Sequence, residues 1–166
     1  MGCDIHLYVE KRDENGKWVS ADTWTPDDWA AKEGKDQFVV SFENRFYVDR
    51  NYDLFAILAD VRNGYGFAGI DTGDGFIPIA DPRGLPFDVT LAVHAEGDAW
   101  DCDGHSHSYF TVAELKAYNW NQTTKHRGVV DPWNFELWRR NGKPNTWSGD
   151  VSGQLVIKVT NDEWPR

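Results

Sequence analysis

The side chains that can bind a metal are concentrated in two short segments of the chain. Asp4 and His6 stand two residues apart near the start, and residues 101–108 read Asp-Cys-Asp-Gly-His-Ser-His-Ser. Carboxylate and imidazole groups together form a ligand set that suits Zn²⁺, Mn²⁺ or Fe²⁺. We therefore predict one shared site for a divalent metal. Its predicted ligands are Asp4, His6, His105 and His107.

A metal in such a site predicts a hydrolase. Three protein ligands and one open position lower the pKa of a bound water, so that the water can attack a phosphoester. Glu10 or Asp103 would then act as a general base or support a metal-bound histidine. The alternative is that the histidine-bearing segment is a solvated polar loop, and that Asp4 and His6 form a hydrogen-bonded pair on a strand.

A group of arginines indicates a second kind of chemistry, the binding of an anion. Arginine is the preferred side chain for a bidentate grip on phosphate or carboxylate. Several arginines flank the most apolar helical segment and the loops after it, with tyrosines close by in the sequence. The predicted ligand-binding residues are Arg50, Arg62, Arg83 and Tyr65. The alternative is ordinary surface ion pairing with the abundant acidic side chains.

The glycine-rich segment after that helix matches a phosphate-binding pattern only superficially. Residues 64–69 read Gly-Tyr-Gly-Phe-Ala-Gly, which fits G-x-G-x-x-G. The dinucleotide-binding fingerprint follows a strand and opens a helix, whereas this segment follows a helix. We therefore expect these glycines to serve turns that need a positive φ.

The elements that must position these residues are short. Alternation of apolar and polar residues predicts a strand over 3–10, Asn15-Gly16 favours a hairpin turn, and 154–160 predicts a closing strand. Capping residues predict four helices. These begin at Thr25-Pro26-Asp27-Asp28, Asn51, Thr111 and Asp131-Pro132, and they end near Gly34, Asn63, Asn119 and Arg140. Residues 96–108 lack a period and predict an ordered loop.

Together these elements predict an α+β fold. We expect a single domain over residues 1–166, with one mixed or antiparallel sheet that contains the N- and C-terminal strands side by side, and with three to four short helices.

Composition excludes several classes of function. The net charge of −10 excludes a general coat for duplex DNA, because few cations are present to neutralise phosphates. Nine tryptophans, six tyrosines and nine phenylalanines exclude a disordered acidic tail. The longest apolar run, residues 54–59, is too short to cross a membrane. No secretion signal opens the chain, so we expect a soluble cytoplasmic protein.

The start of the chain, Met-Gly-Cys-Asp-Ile-His, resembles that of a family of small proteins encoded by bacteriophages and prophages. Further similar segments are 50–55 with 61–62, 82–86, and 105–108 leading into Leu115, so the resemblance spans about the first three quarters of the chain. It implies a phage or prophage setting, with the host cytoplasm as the place of action. It implies no particular reaction.

Three functions follow as hypotheses. The first is a metal-dependent hydrolase of a phosphoester or nucleotide, with Arg50 and Arg62 holding the phosphate. The second is a binding protein without chemistry that sequesters a small anionic ligand, such as a nucleotide signal of host defence. The third is an acidic protein that docks on a host protein.

Overall fold

A computed structural model describes residues 5–34, 37–141 and 157–163 of the chain. These residues divide into two compact units. The N unit contains residues 5–34, 37–50 and 82–109, and the C unit contains residues 51–81, 110–141 and 157–163. Each predicted site is therefore considered within its own unit.

The N unit is built on two short antiparallel hairpins. Strand β1 (Glu10–Arg12) pairs with β2 (Trp18–Ser20), and β3 (Trp24–Pro26) pairs with β4 (Phe38–Val40). Gly16 has a φ of 76° in the turn between β1 and β2, which a glycine adopts without strain. The helices of this unit are α1 (Asp28–Lys32) and α3 (Leu91–Trp100), with short 3-10 turns at Phe42–Asn44 and Asp101–Asp103.

The C unit contains the longest strand pair and three helices. Strand β5 (Thr124–Val130) runs antiparallel to β6 (Ile157–Glu163), with Thr124 opposite Glu163 and Val130 opposite Ile157. The helices are α2 (Tyr52–Ala59), α4 (Val112–Ala117) and α5 (Pro132–Arg140), and a 3-10 turn covers Phe67–Gly69.

Two apolar clusters form the core of the C unit. In the first, Ala56 and Ile57 of α2 pack with Phe76, and Ile79 and Tyr118 lie against them. In the second, Val130 of β5 packs with Trp138 of α5, and Phe135 and Ile157 cover them. Removing this apolar surface from water is the main force that stabilises the unit.

The α+β class is confirmed, and helices begin at three of the four predicted starts. The fourth prediction was wrong in detail, because Thr25 and Pro26 belong to β3 and Asp27 caps α1. Asn51, Thr111 and Asp131 each accept a backbone N–H of the first turn, and Thr111 with Glu114 forms a complete capping box. Such caps are local interactions, which is why the sequence predicts them well.

Three features of the fold differ from the expectation. Within the described residues the strands form three two-stranded sheets instead of one, and β1 and β6 lie in different sheets. Residues 5–9 do not belong to a strand. The N–H of Val9 donates to the Asp22 carboxylate at 2.7 Å, and its carbonyl accepts the N–H of Ala21 at 2.8 Å. A fifth helix, α3, covers part of the predicted loop at 96–108. Val93 is the single buried residue of this helix, so its sequence shows no apolar periodicity.

No helix in the described ranges is both long and apolar enough to cross a membrane.

Candidate functional site

A cavity of about 230 Å³ in the C unit is the first candidate site. It lies between the start of α2, the glycine-rich loop of residues 62–76 and the start of β5. We call it the C-unit pocket. The lining side chains that can contact a ligand through polar or aromatic groups include Tyr52, Arg62, Tyr65, Thr72, Lys125 and His126.

The glycine-rich loop folds back on itself through one asparagine. The side-chain amide of Asn63 donates to the carbonyl of Phe76 at 2.8 Å and accepts the N–H of Phe76 at 2.6 Å. The N–H of Thr72 donates to the carbonyl of Gly64 at 2.9 Å. These bonds hold both arms of the loop together, so the pocket wall is made of fixed backbone.

Close backbone approach explains the glycines at two positions of this loop. Gly64 has a φ of 81°, and a Cβ there would lie 2.9 Å from the carbonyl oxygen of Gly73. Gly73 pairs with His126 in an isolated bridge, and a Cβ on Gly73 would collide with the carbonyl of Lys125. Glycine is therefore needed at both positions for this close backbone packing. The positive φ of Gly64 agrees with the turn that the sequence pattern predicts there.

Arg127 of β5 fastens the same loop by its side chain. Its guanidinium donates to the Asp71 carboxylate at 3.1 and 3.2 Å and also pairs with Asp74. This guanidinium, together with the N–H of Gly73, holds the pKa of Asp71 below its ordinary value. The backbone N–H of Arg127 also donates to the carbonyl of Thr72 at 2.8 Å. Arg127 therefore positions the wall of the C-unit pocket.

The lining of the pocket is basic, although the chain carries a net charge of −10. Arg62, Lys125 and His126 line it, against the single carboxylate of Asp53. The Arg62 guanidinium lies 5.0 Å from the centre of the Tyr52 ring, within the range of a cation–π contact. This local excess of positive charge suits an anionic group.

Two further details concern residues that line the pocket. The Nε2 atom of His126 is buried and has no hydrogen-bond partner in the described part of the chain. Such groups are uncommon, because an unsatisfied buried polar atom is unfavourable. Arg62 has a left-handed backbone with a φ of 51°, which destabilises a residue other than glycine by about 1–2 kcal/mol. Strained residues of this kind cluster at ligand sites.

Two of the four predicted ligand-binding residues, Arg62 and Tyr65, line the C-unit pocket together. Arg50 and Arg83 belong to the N unit, where the Arg83 side chain donates to the carbonyl of Tyr109 at 3.2 Å. Lys125 lies in a locally basic segment, 116–143, for which the sequence favours a solvent-exposed face over a nucleotide site, and His126 was not predicted. Three consecutive basic residues, 125–127, in an acidic chain are the signal that would have pointed to them.

A second group of interacting side chains lies in the N unit around Glu96 of α3. One carboxylate oxygen, Oε1, accepts from the Tyr8 hydroxyl at 2.9 Å and from the Trp100 indole N–H at 3.1 Å. The Nδ1 atom of His6 lies 3.2 Å from the same oxygen. The His6 ring meets the edge of the Trp100 ring, with 4.9 Å between their centres. We call these four residues the Glu96 cluster.

The Glu96 cluster fixes the protonation of two of its members. Burial raises the pKa of Glu96, but the hydrogen bonds from His6, Trp100 and Tyr8 outweigh it and hold that pKa below the ordinary value. Burial and the negative charge of Glu96 together raise the pKa of Tyr8. At neutral pH Glu96 is therefore a carboxylate and Tyr8 a hydroxyl.

The predicted metal ligands are only partly described. Asp4 lies outside the described residues. His105 is exposed, with Nδ1 at 3.2 Å from the Ser106 hydroxyl, and His107 is half-buried next to Gly104. Within the described ranges no three histidine, cysteine or acidic side chains form a group that could hold a metal ion. The metal centre stays a prediction.

The predicted catalytic acids have separate surroundings. The Glu10 carboxylate accepts the backbone N–H of Thr90 at 2.9 Å, at the residue that caps α3. Asp103 is exposed at the end of a 3-10 turn. The Glu10 carboxylate thus supports the start of a helix, and a catalytic role for either residue remains a prediction.

Comparisons of the sequence with protein-family models, with curated proteins and with solved structures found no match.

Proposed function

We propose that this protein binds a small phosphate-bearing ligand of the nucleotide type in the C-unit pocket and releases it unchanged. The observation that carries the proposal is that Arg62, Lys125 and His126 all belong to the lining of one cavity in an otherwise acidic chain. Basic side chains bind phosphate through charge-assisted hydrogen bonds, which are stronger than those between neutral groups.

The size of the pocket limits the ligand. Pockets that enclose drug-sized molecules measure about 300–1,000 Å³, and this one measures about 230 Å³. It therefore suits the phosphate and sugar of a nucleoside monophosphate. Tyr65 is 60% exposed, so its ring is available to stack on a base that projects from the pocket.

Calorimetric titration with adenosine monophosphate, inorganic phosphate and adenosine tests this proposal. We expect binding of the monophosphate, and binding of adenosine at least about tenfold weaker, because a hydrogen bond to a charged group contributes about 1.5–3 kcal/mol. The monophosphate should be recovered intact. Equal binding of adenosine and its monophosphate would show that the phosphate is not recognised.

Matched variants locate the interaction. Arg62→Gln and Lys125→Gln should each weaken binding of the monophosphate roughly tenfold. Lys116→Gln, an exposed position of α4 that does not line the pocket, removes the same charge and serves as the control. Equal weakening in all three variants would reveal a general effect of net charge and contradict a specific pocket.

A metal-dependent hydrolase in the N unit is the second candidate. The observation that favours it is the contact between His6 Nδ1 and the Glu96 carboxylate. A metal-bound histidine usually donates its other ring N–H to a carboxylate, which leaves His6 Nε2 for the metal. Asp4, His105 and His107 are the other proposed ligands.

Metal analysis of the purified protein tests the second candidate. The wild type should contain zinc, manganese or iron in stoichiometric amount, and both His6→Ala and His105→Ala should lose it. Metal content that is the same in the wild type and both variants would contradict the proposed ligands. Hydrolysis of a phosphodiester by the loaded wild type, absent in both variants, is the expected activity.

A further inference from the structure

A cavity of about 210 Å³ in the N unit has a lining opposite in charge to that of the C-unit pocket. Two carboxylates, Asp27 and Glu96, line it together with the aromatic side chains of Phe38 and Trp100 and the amide of Gln37. Val39 and Ala99 complete the lining formed by the described residues, and none of these is a lysine or an arginine. We call it the N-unit cavity.

Glu96 brings one uncommitted oxygen to this cavity. Its Oε1 atom takes the contacts from Tyr8, Trp100 and His6 described above. No donor in the described ranges reaches Oε2. The first oxygen is thus held by the protein, and the second is left for a ligand.

Asp27 has the same division between its two oxygens. Its Oδ1 atom caps α1 by accepting the N–H of Trp29 at 2.8 Å and that of Ala30 at 3.4 Å. The Oδ2 atom accepts no hydrogen bond from the residues that the structure describes. The described lining therefore combines two half-buried carboxylates, each fixed through one oxygen, and the one basic group in contact with them, His6, reaches only Oε1 of Glu96.

The aromatic walls indicate what kind of cation fits. An indole ring attracts an organic cation through its π face and is the strongest aromatic partner for it. Hard metal ions such as Mg²⁺ and Ca²⁺ instead prefer a shell of six or more oxygen ligands. Trp100 and Phe38 beside only two carboxylates thus favour an organic cation over a divalent metal.

The number of free oxygens on each carboxylate indicates which of two common organic cations, guanidinium or ammonium, fits the cavity better. A guanidinium binds best when both oxygens of one carboxylate accept in parallel, and here each carboxylate has only one oxygen free. An ammonium group carries three donors that rotate independently. Glu96 Oε2 and Asp27 Oδ2 are two acceptors for them, and Gln37 belongs to the same lining.

We propose that the N-unit cavity binds a primary alkylammonium group, either of a free amine or of a lysine side chain. The two carboxylates bind the ammonium, and Trp100 and Phe38 contact its alkyl chain. This site is independent of the anion-binding function proposed for the C unit, because the two have no residue in common.

A titration followed by NMR at the Trp100 indole N–H tests this proposal. The probes are n-butylammonium, N-acetyl-lysine methylamide and N-acetyl-arginine methylamide. We expect saturable shifts of this N–H with at least one of the two ammonium probes and binding of the arginine probe at least about tenfold weaker. Binding of n-butylammonium identifies a free amine as sufficient, whereas binding of the lysine probe alone identifies a peptide side chain. Stronger binding of the arginine probe, or no saturable shift with any probe, would overturn the proposal.

Two variants and one control complete the test. Asp27→Asn keeps a good capping residue on α1 and removes one charge, so it should weaken ammonium binding at least about threefold while the fold is retained. Glu96→Gln should weaken it at least about tenfold. Asp98→Asn, on the exposed side of α3, removes the same charge outside the cavity and should change nothing. Unchanged binding in Asp27→Asn would refute the role of the carboxylates.

Discussion

Arg127 illustrates how one side chain defines a pocket wall without entering the pocket. It binds Asp71 and Asp74 in the glycine-rich loop, and its backbone ties the same loop to β5. All three side chains are more than a third exposed, so water and salt screen their attraction. The contribution of Arg127 is therefore chiefly to the position of the loop.

The titration of Asp71 gives a direct measure of this contact. Because Arg127 lowers the pKa of Asp71, the contact stabilises the fold above the ordinary pKa of 3.8, and this stabilisation is lost as the pH falls through the lowered value. Arg127→Gln should raise the pKa of Asp71 toward 3.8, as followed by NMR of its carboxyl carbon. The control Lys116→Gln should leave it in place. An identical Asp71 titration in the wild type and Arg127→Gln would refute the contact.

Gly73 supplies a second test within the same loop. An alanine there would collide with the carbonyl of Lys125, so Gly73→Ala should lower the free energy of unfolding by about 3 kcal/mol or more and abolish ligand binding. Gly69 also has a positive φ, of 76°, but faces open space. Gly69→Ala should therefore cost only about 1–2 kcal/mol, measured by urea unfolding. Equal effects at the two positions would show that backbone strain alone, without the close approach, explains both.

Single residues of the pocket were predictable to different degrees. Arg62 and Tyr65 follow a helix and carry groups that bind phosphate, so type and spacing indicate them. His126 is a different case, because its significance comes from a buried nitrogen without a partner. That property depends on residues distant in the sequence, including Gly73 in the opposite bridge. Local patterns carry no information about it.

Helix starts were the most predictable elements of this chain. The capping box at Thr111 needs only the four residues from Thr111 to Glu114, and the Thr111 hydroxyl accepts the Glu114 N–H at 3.2 Å. Helix α3 lacks such a signal, since its capping residue Thr90 makes no side-chain bond to the helix. Its position depends instead on contacts with Glu10 and with the Glu96 cluster.

Removal of the Thr111 side chain tests the capping box. Thr111→Ala should lower the free energy of unfolding by about 1 kcal/mol, because it leaves the first turn of α4 with an unsatisfied N–H. Thr123→Ala is the matched control, since Thr123 is exposed and lies just outside a regular element. Both values come from thermal or urea unfolding followed by circular dichroism. A Thr111→Ala variant as stable as the control would contradict a stabilising cap.

The arrangement of strands was less predictable than that of helices. Alternation over 3–10 indicated a strand, yet among the described residues of that range only Glu10 belongs to one, and the N–H of Val9 donates to the side chain of Asp22. Pairing is a property of two segments that are distant in the chain, and apolar alternation does not identify the partner. The prediction of one sheet was wrong for this reason. A hairpin turn, in contrast, depends only on neighbouring residues and is easier to predict.

The charge of the chain is unevenly distributed between its two cavities. The two carboxylates in the lining of the N-unit cavity agree in sign with the net charge of −10, whereas Arg62, Lys125 and His126 in the lining of the C-unit pocket do not. Composition alone excluded a coat for duplex DNA and gave no indication of a local anion site. The ligand proposed for each cavity therefore follows from the residues that line it, and not from the net charge of the chain.

Backbone NMR during a titration with adenosine monophosphate shows whether a phosphate-bearing ligand binds in the C-unit pocket. We expect saturable shifts confined to the start of α2, the glycine-rich loop and residues 124–126. Saturable binding with shifts confined to the N unit would contradict this expectation, as would the absence of any saturable shift.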